Sequence, residues 1–167
     1  MLPDSALDWL YQTAAADYIR ENELAFPWIE SVHVLAITLV VGSIAIVDLR
    51  LLGLASRNRP ISGLTRDVLP CTWVAFAIAV VSGLLLFSSN ATRYAHNPYF
   101  QGKLVLLALA GANMAWFQLW SARHLRFAET ACELPWQTRV AGGASLALWI
   151  GVVAAGRWIG FTMLAGS

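Results

Sequence analysis

Four stretches of this chain are too long and too apolar for the surface or core of a water-soluble domain, and they leave few folds open. About residues 27–54, 68–89, 103–124 and 139–165 each supply the roughly 20 mostly apolar residues that a bilayer's hydrocarbon core demands of a spanning helix. The second stretch carries no charge, and the fourth meets only Arg157 after its first residue. In lipid each segment must satisfy its own backbone N–H and C=O groups, so the stretches read as helices. The expected fold class is all-α, an integral membrane four-helix bundle. Composition agrees. Apolar residues make up 58 % of the chain and charged ones 13 %, against about 25 % charged in soluble domains. A soluble enzyme, a disordered chain and a nucleic-acid binder are excluded on these grounds, and the lipid bilayer becomes the expected partner.

Residues 1–26 stand apart from the 27–167 bundle. They hold Asp4, Asp8, Asp17, Glu21 and Glu23 with Arg20 as the one basic group, which is not the basic start of a signal peptide. Leu7, Leu10, Tyr11, Ala14 and Tyr18 recur at helical spacing, so the segment reads as one amphipathic helix lying in the membrane interface. Pro27 suits the first turn of the helix that follows.

Orientation follows from the basic residues. Arg50, Arg57, Arg59 and Arg66 flank the first inter-helix loop, and Arg123, Arg126 and Arg139 the third. Only Arg20, Arg93 and Lys103 fall on the other side. The positive-inside rule puts the first and third loops in the cytoplasm and both termini in the periplasm of a bacterial inner membrane. Cys71 and Cys132 then lie near the reducing cytoplasmic face. Ala147, Gly151 and Ala155 on the fourth span, and Gly111 and Ala115 on the third, are small residues at four-residue spacing that let helices approach closely. They pack the bundle or, through the fourth helix, join it to a second copy as a homo-oligomer.

Chemistry must come from polar groups held at membrane depth, because these are costly there and face a cavity, a cofactor or one another. His33 is the sharpest candidate. It lies six residues after Pro27, about 9 Å along the helix at ~1.5 Å per residue. It is either a metal ligand or a ring hydrogen-bonded to a neighbouring helix. Glu30, three residues earlier, is placed to hold the second imidazole nitrogen, which fixes the tautomer of a liganding histidine. Arg157 approaches the same level from the fourth span, where it can pair with Glu30 or with a haem propionate. His96, ahead of Asn97 and Pro98, is either a second axial ligand or a solvated loop histidine. His124 lies a membrane thickness away and reads as a helix-end cap.

Asp48 and Arg50 read as charges at the membrane boundary. Asn113 and Gln118 read as interhelical hydrogen-bond donors, and Met114 and Met163 as packing. No nucleophile triad, phosphate loop, paired carboxylates or Cys-x-x-Cys is present, so hydrolytic chemistry has no support.

Several segments carry a resemblance: Glu30-Ser-Val-His33-Val-Leu-Ala36, Val47-Asp-Leu-Arg-Leu-Leu-Gly53, Ser82-Gly-Leu-Leu-Leu-Phe87, Asn97-Pro-Tyr-Phe-Gln-Gly-Lys103, Ala110-Gly-Ala-Asn-Met114 and Gly156-Arg-Trp158. From about residue 24 the chain resembles a family of small bacterial inner-membrane proteins known as a domain of unknown function. More distantly it is similar to the copper-resistance D and membrane cytochrome b bundles. The resemblance implies four spans and a histidine at the position of His33. It also implies, in many members, a histidine where this chain has Gln118.

These readings converge on an expectation. The chain is a haem b-binding membrane protein that carries electrons between a quinol or periplasmic redox partner and an acceptor. His33 is the axial ligand, His96 the candidate second one, Arg157 the propionate partner and Glu30 the orienting group. The alternatives are a copper or proton transporter that uses the same residues, and a non-catalytic subunit of a membrane redox complex.

Overall fold

The computed structural model describes residues 4–55, 61–124 and 136–164, with only the backbone given for 4, 61–66, 118–124 and 163–164. Among them are seven helices: α1 (Asp4–Tyr11), α2 (Ala14–Glu21), α3 (Ala25–Leu51), α4 (Ile61–Ser89), α5 (Ala91–Ala95), α6 (Pro98–His124) and α7 (Trp136–Leu164). Three are long and apolar enough to cross a membrane: α3, α4 from Asp67, and α7 over Trp136–Thr162. At ~1.5 Å per residue, the 27 residues of α3 reach about 40 Å. Outward-facing apolar side chains are bare, with Leu35 66 %, Leu84 62 % and Ile150 61 % exposed. A surface of that kind is covered by lipid. The protein is membrane-embedded.

The long helices pack in series, α4 on α3, α3 on α7 and α7 on α6. Small residues line the seams: Ala36 faces inward on α3, Ala75 and Ala79 on α4, Ala110 on α6 and Ala141 on α7. Gly142 lies against Leu51 and the Asp48 carbonyl, where a Cβ would come within 3.0 and 3.1 Å. Among the described residues, α4 and α6 make no close backbone approach. They meet instead through rings, Phe87 stacking on Phe100 at 5.2 Å with Tyr94 beside both. Bulky rings hold the two backbones apart where small residues would draw them together. Of the four-helix bundle expected from the sequence, the described residues show an all-helical fold with three helices apolar enough to span a membrane.

The N-terminal segment is two helices, not one. Thr13 breaks it: its hydroxyl donates to the Leu10 carbonyl at 2.8 Å and accepts from the Ala16 N–H at 3.4 Å, ending one helix and capping the next. Both pieces dock on the bundle, α1 against α5 and α2 against α4 and α3. Leu7, Ala16 and Ile19 are buried there. This segment, α5 and the adjoining ends of α3, α4, α6 and α7 form one end of the molecule, here called the cap end.

Helix starts also differ from the sequence reading. α4 begins at Ile61 and runs through Pro70. α6 begins at Pro98, five residues before the apolar run, because Asn97 caps it. The Asn97 side-chain carbonyl accepts from the Tyr99 and Phe100 N–H groups at 2.9 and 3.4 Å, with Pro98 in the first turn. The side-chain amide of Asn97 donates to Thr162 at 2.8 Å and ties α6 to the end of α7.

Candidate functional site

His33 sits eight residues into α3, about 12 Å below the cap at ~1.5 Å per residue. Its Nδ1 lies 3.0 Å from the Ser82 hydroxyl on α4. Ser82 is buried and donates its only proton to the Ile78 carbonyl at 2.7 Å. The ring and that hydroxyl are therefore paired through Nδ1 across the α3–α4 seam. The Ala79 carbonyl, 3.3 Å from the same hydroxyl, adds a second acceptor beside the ring. The orienting partner is thus Ser82, not Glu30 as the sequence suggested. Ser82 lies 49 residues from His33, beyond any local spacing rule.

Gly83 lets the ring come this close. A Cβ at that position would meet His33 Cε1 at 2.9 Å, too near for the ring to stay. Outside, an apolar groove of about 460 Å³ runs along the α3–α4 seam between Trp28, Val32, Ile78 and Leu85 and reaches Ser82 from the lipid side.

Lys103 is the residue that sequence reasoning missed. It is half-buried on α6, lies within Coulombic range of His33 and forms no ion pair among the described residues. Its Nζ is 3.8 Å from where a Cβ on Gly156 of α7 would be. The signal was present in Asn97 and Pro98: a helix that starts there places Lys103 inside α6 and not in a loop.

The other expected site residues lie apart from this core. Arg157, next to Gly156, is exposed and stands over the Phe161 ring at 5.0 Å. Glu30 is exposed, and its charge is felt at Tyr94. Burial pushes the Tyr94 phenol up, Glu30 adds to the rise, and Arg93 offsets part of it. His96 ends α5, exposed, with its Nδ1–H donated to the Thr92 carbonyl at 2.8 Å. No hydrogen bond brings it to His33, and α5 has no close backbone approach to α3. The side chains of Gln118, His124, Cys132 and Met163 lie outside the described residues, as do those of Arg57, Arg59, Arg66, Arg123 and Arg126.

At the far end, Asp48 is no boundary charge. It is 4 % exposed, bonded to Ser145 of α7, and its Oδ2 has no partner among the described residues. Asn113 behaves as expected, donating across the α6–α7 seam to the Ala141 carbonyl at 3.1 Å.

The donor set decides which metal chemistry the site fits. A bare copper or zinc ion asks for three or four protein donors. Among the described residues no three His, Cys, Asp or Glu side chains converge. A porphyrin brings four nitrogens of its own and asks for one or two axial ligands. One imidazole, paired with Ser82 through Nδ1, is the kind of single donor that demand asks for.

A family described as a family of unknown function, DUF6644, matches residues 17–162. No curated protein and no solved structure matches the chain.

Proposed function

The chain belongs to the DUF6644 family, and from that premise we propose that it is a four-span, haem b-binding membrane protein taking part in electron transfer. The family description names no activity, so the reading rests on the site. One observation supports it: the His33 Nδ1–Ser82 contact at 3.0 Å, which holds the ring between α3 and α4; in this reading Nε2 is the nitrogen that meets iron. Metal-ligating histidines are held this way, with the second nitrogen donated to a fixed acceptor.

Haem b, when bound, supplies an iron that gains and loses one electron. The protein's own residues do the rest. Ser82 fixes the tautomer and the plane of the ring, and Gly83 gives the ring its place against α4. The rings of Phe87, Tyr94 and Phe100 close the space between α4 and α6 at the cap end. His33 would hold the iron without His96, because His96 is exposed and its helix α5 has no close approach to α3.

In this reading α6 is the fourth span. The location is a bacterial inner membrane with both termini periplasmic, and the cap end faces the periplasm. The redox partner is a membrane quinol or a periplasmic protein. Gly111 and Ala115 are exposed on α6 and leave a face for a second copy. A distant kinship to the copper-resistance D and membrane cytochrome b bundles accords with this scheme.

A proton or copper path along α3 is less well supported. His33 and Asp48 are about 22 Å apart at ~1.5 Å per residue, and Ala36 and Val40, both buried and apolar, lie between them.

The test is the absorption spectrum of protein purified from haem-replete cells, with pyridine haemochrome analysis of the same sample. A Soret band that sharpens on dithionite reduction, present in the wild type and lost in His33→Ala, is the expected result. A colourless protein that takes up no added haem overturns the reading.

A further inference from the structure

Two cavities lie on the α3–α4 seam, one above the other. The lower is the apolar groove of about 460 Å³ that opens to lipid. The upper, about 290 Å³, lies at the cap end where α2 packs on α3 and α4, and it brings Arg20 of α2 together with Arg93 and Tyr94 of α5. Their linings continue each other. On α4, Ile78, Val81 and Leu85 of the groove are followed by Ser89 of the upper cavity, and on α3, Val32 and Ile29 are followed by Phe26. Steps of three and four residues stay on one face of a helix, so both cavities share one face of the seam. From Ser89 down to Ala77, α4 advances about 18 Å at ~1.5 Å per residue. One leaflet of a bilayer, headgroups included, is about 20–22 Å deep.

The two parts differ in chemistry as the two parts of a lipid do. The groove is apolar down to the Ser82 hydroxyl, whose proton goes to Ile78. The upper cavity is lined by two guanidiniums, an amide and a phenol, with no acidic side chain in its lining. Asn90 makes no cap hydrogen bond with its amide. Arg20 donates to the Tyr11 carbonyl and to Asp17, and the five N–H donors of a guanidinium leave it more to give. Glu30, whose charge reaches Tyr94, is exposed and outside the lining.

We propose that this seam seats one anionic phospholipid from the leaflet at the cap end, its phosphate against Arg20 and Arg93 and one acyl chain in the groove below. Charge complementarity and depth carry it. Guanidiniums meet phosphate oxygens through strong paired N–H···O bonds, and basic pockets between membrane helices bind lipid headgroups. The phosphate bridges α2 and α5, so the lipid also fastens the N-terminal segment to the bundle. His33 lines neither cavity, and the proposal stands apart from the haem reading.

The test uses full-length protein, delipidated in neutral detergent. It is titrated with phosphatidylglycerol, with phosphatidylcholine of the same chains, and with inorganic phosphate, and bound lipid is read by native mass spectrometry. The wild type is expected to hold one phosphatidylglycerol about tenfold or more tightly than phosphatidylcholine, the range of one hydrogen bond to a charged group. Arg20→Gln and Arg93→Gln are each expected to erase most of that preference. Arg157→Gln, which removes an exposed cation at the same end, should keep it. Val81→Trp fills the groove from an exposed position and should weaken binding of both lipids. Circular dichroism confirms that each variant has folded. Equal binding of the two lipids by the wild type, or an undiminished preference in both arginine variants, overturns the phosphate assignment. Unchanged lipid binding in Val81→Trp, or displacement by inorganic phosphate as effective as by phosphatidylglycerol, leaves an anion pocket alone and overturns the lipid.

Discussion

The two ends of the helix array use glycine for opposite purposes. At the cap end, Gly83 faces the His33 ring, where a Cβ would come within 2.9 Å of Cε1. It clears room for a polar side chain, the His33 imidazole. At the far end, Gly142 faces the Leu51 Cβ and the Asp48 carbonyl, so the room it clears is taken by α3 itself. At one end the glycine admits a side chain from the neighbouring helix; at the other it admits that helix's backbone. A small-residue stripe alone does not separate these uses. What lies opposite each glycine does.

That contrast can be broken by experiment. Gly83→Ala is expected to abolish cofactor binding, because the new Cβ forces the imidazole off Ser82. Its cost in stability should stay small, since a side-chain ring can swing aside. Pigment retention and thermal unfolding of the same preparation report the two effects separately. Gly142→Ala should do the reverse. Its Cβ meets backbone and a Cβ, neither of which can rotate away, so it should lower stability by about 1–3 kcal/mol, as overpacking does, while the spectrum stays unchanged. If Gly142→Ala strips the haem, or Gly83→Ala leaves it in place, the two ends are not distinct in the way described.

Asn113→Ala sharpens the picture of the far seam. It removes one interhelical hydrogen bond and should cost about 0.6 kcal/mol, with ~1.7 as an upper bound for such bonds in membranes, read by denaturant titration in mixed micelles. Tyr94 gives the smallest effect, at the cap. Its pKa is raised in the folded protein, so above the ordinary tyrosine value of about 10 the unfolded chain releases a proton that the folded one keeps. Stability therefore falls as pH rises through that window. Tyr94→Phe should flatten this alkaline slope in pH-dependent melting, and an unchanged slope would place its origin elsewhere.

Much of this was legible in the sequence, for definable reasons. Long apolar runs fix helices because lipid offers the backbone no other partner. His33 stood out because an imidazole inside such a run needs a purpose. Asn113 was read correctly on the same logic. The misses share a cause as well. Ser82 and Ser145 are hydroxyls inside helices, and such groups ordinarily spend their proton on their own turn, as Ser82 does on Ile78. That they also receive a bond from, or give one to, another helix depends on rotation and register that a single sequence does not contain. The apolar run puts Lys103 at the start of the third span, whereas the cap at Asn97 starts the helix five residues earlier and carries Lys103 into its second turn. Asp48 looked like a boundary charge because it neighbours Arg50, yet helical rotation turns it into the α3–α7 seam. The break at Thr13 was missed because apolar spacing continues across it.

The central claim is that Nε2 of His33 meets iron, and pulsed electron paramagnetic resonance of the ferric protein tests it directly. With histidine alone isotope-labelled, an axial imidazole nitrogen should couple strongly to the iron in the wild type, and that coupling should disappear in His33→Ala supplied with haem in excess. A coupling that survives the substitution, or a haem with no histidine nitrogen bound, would contradict the account.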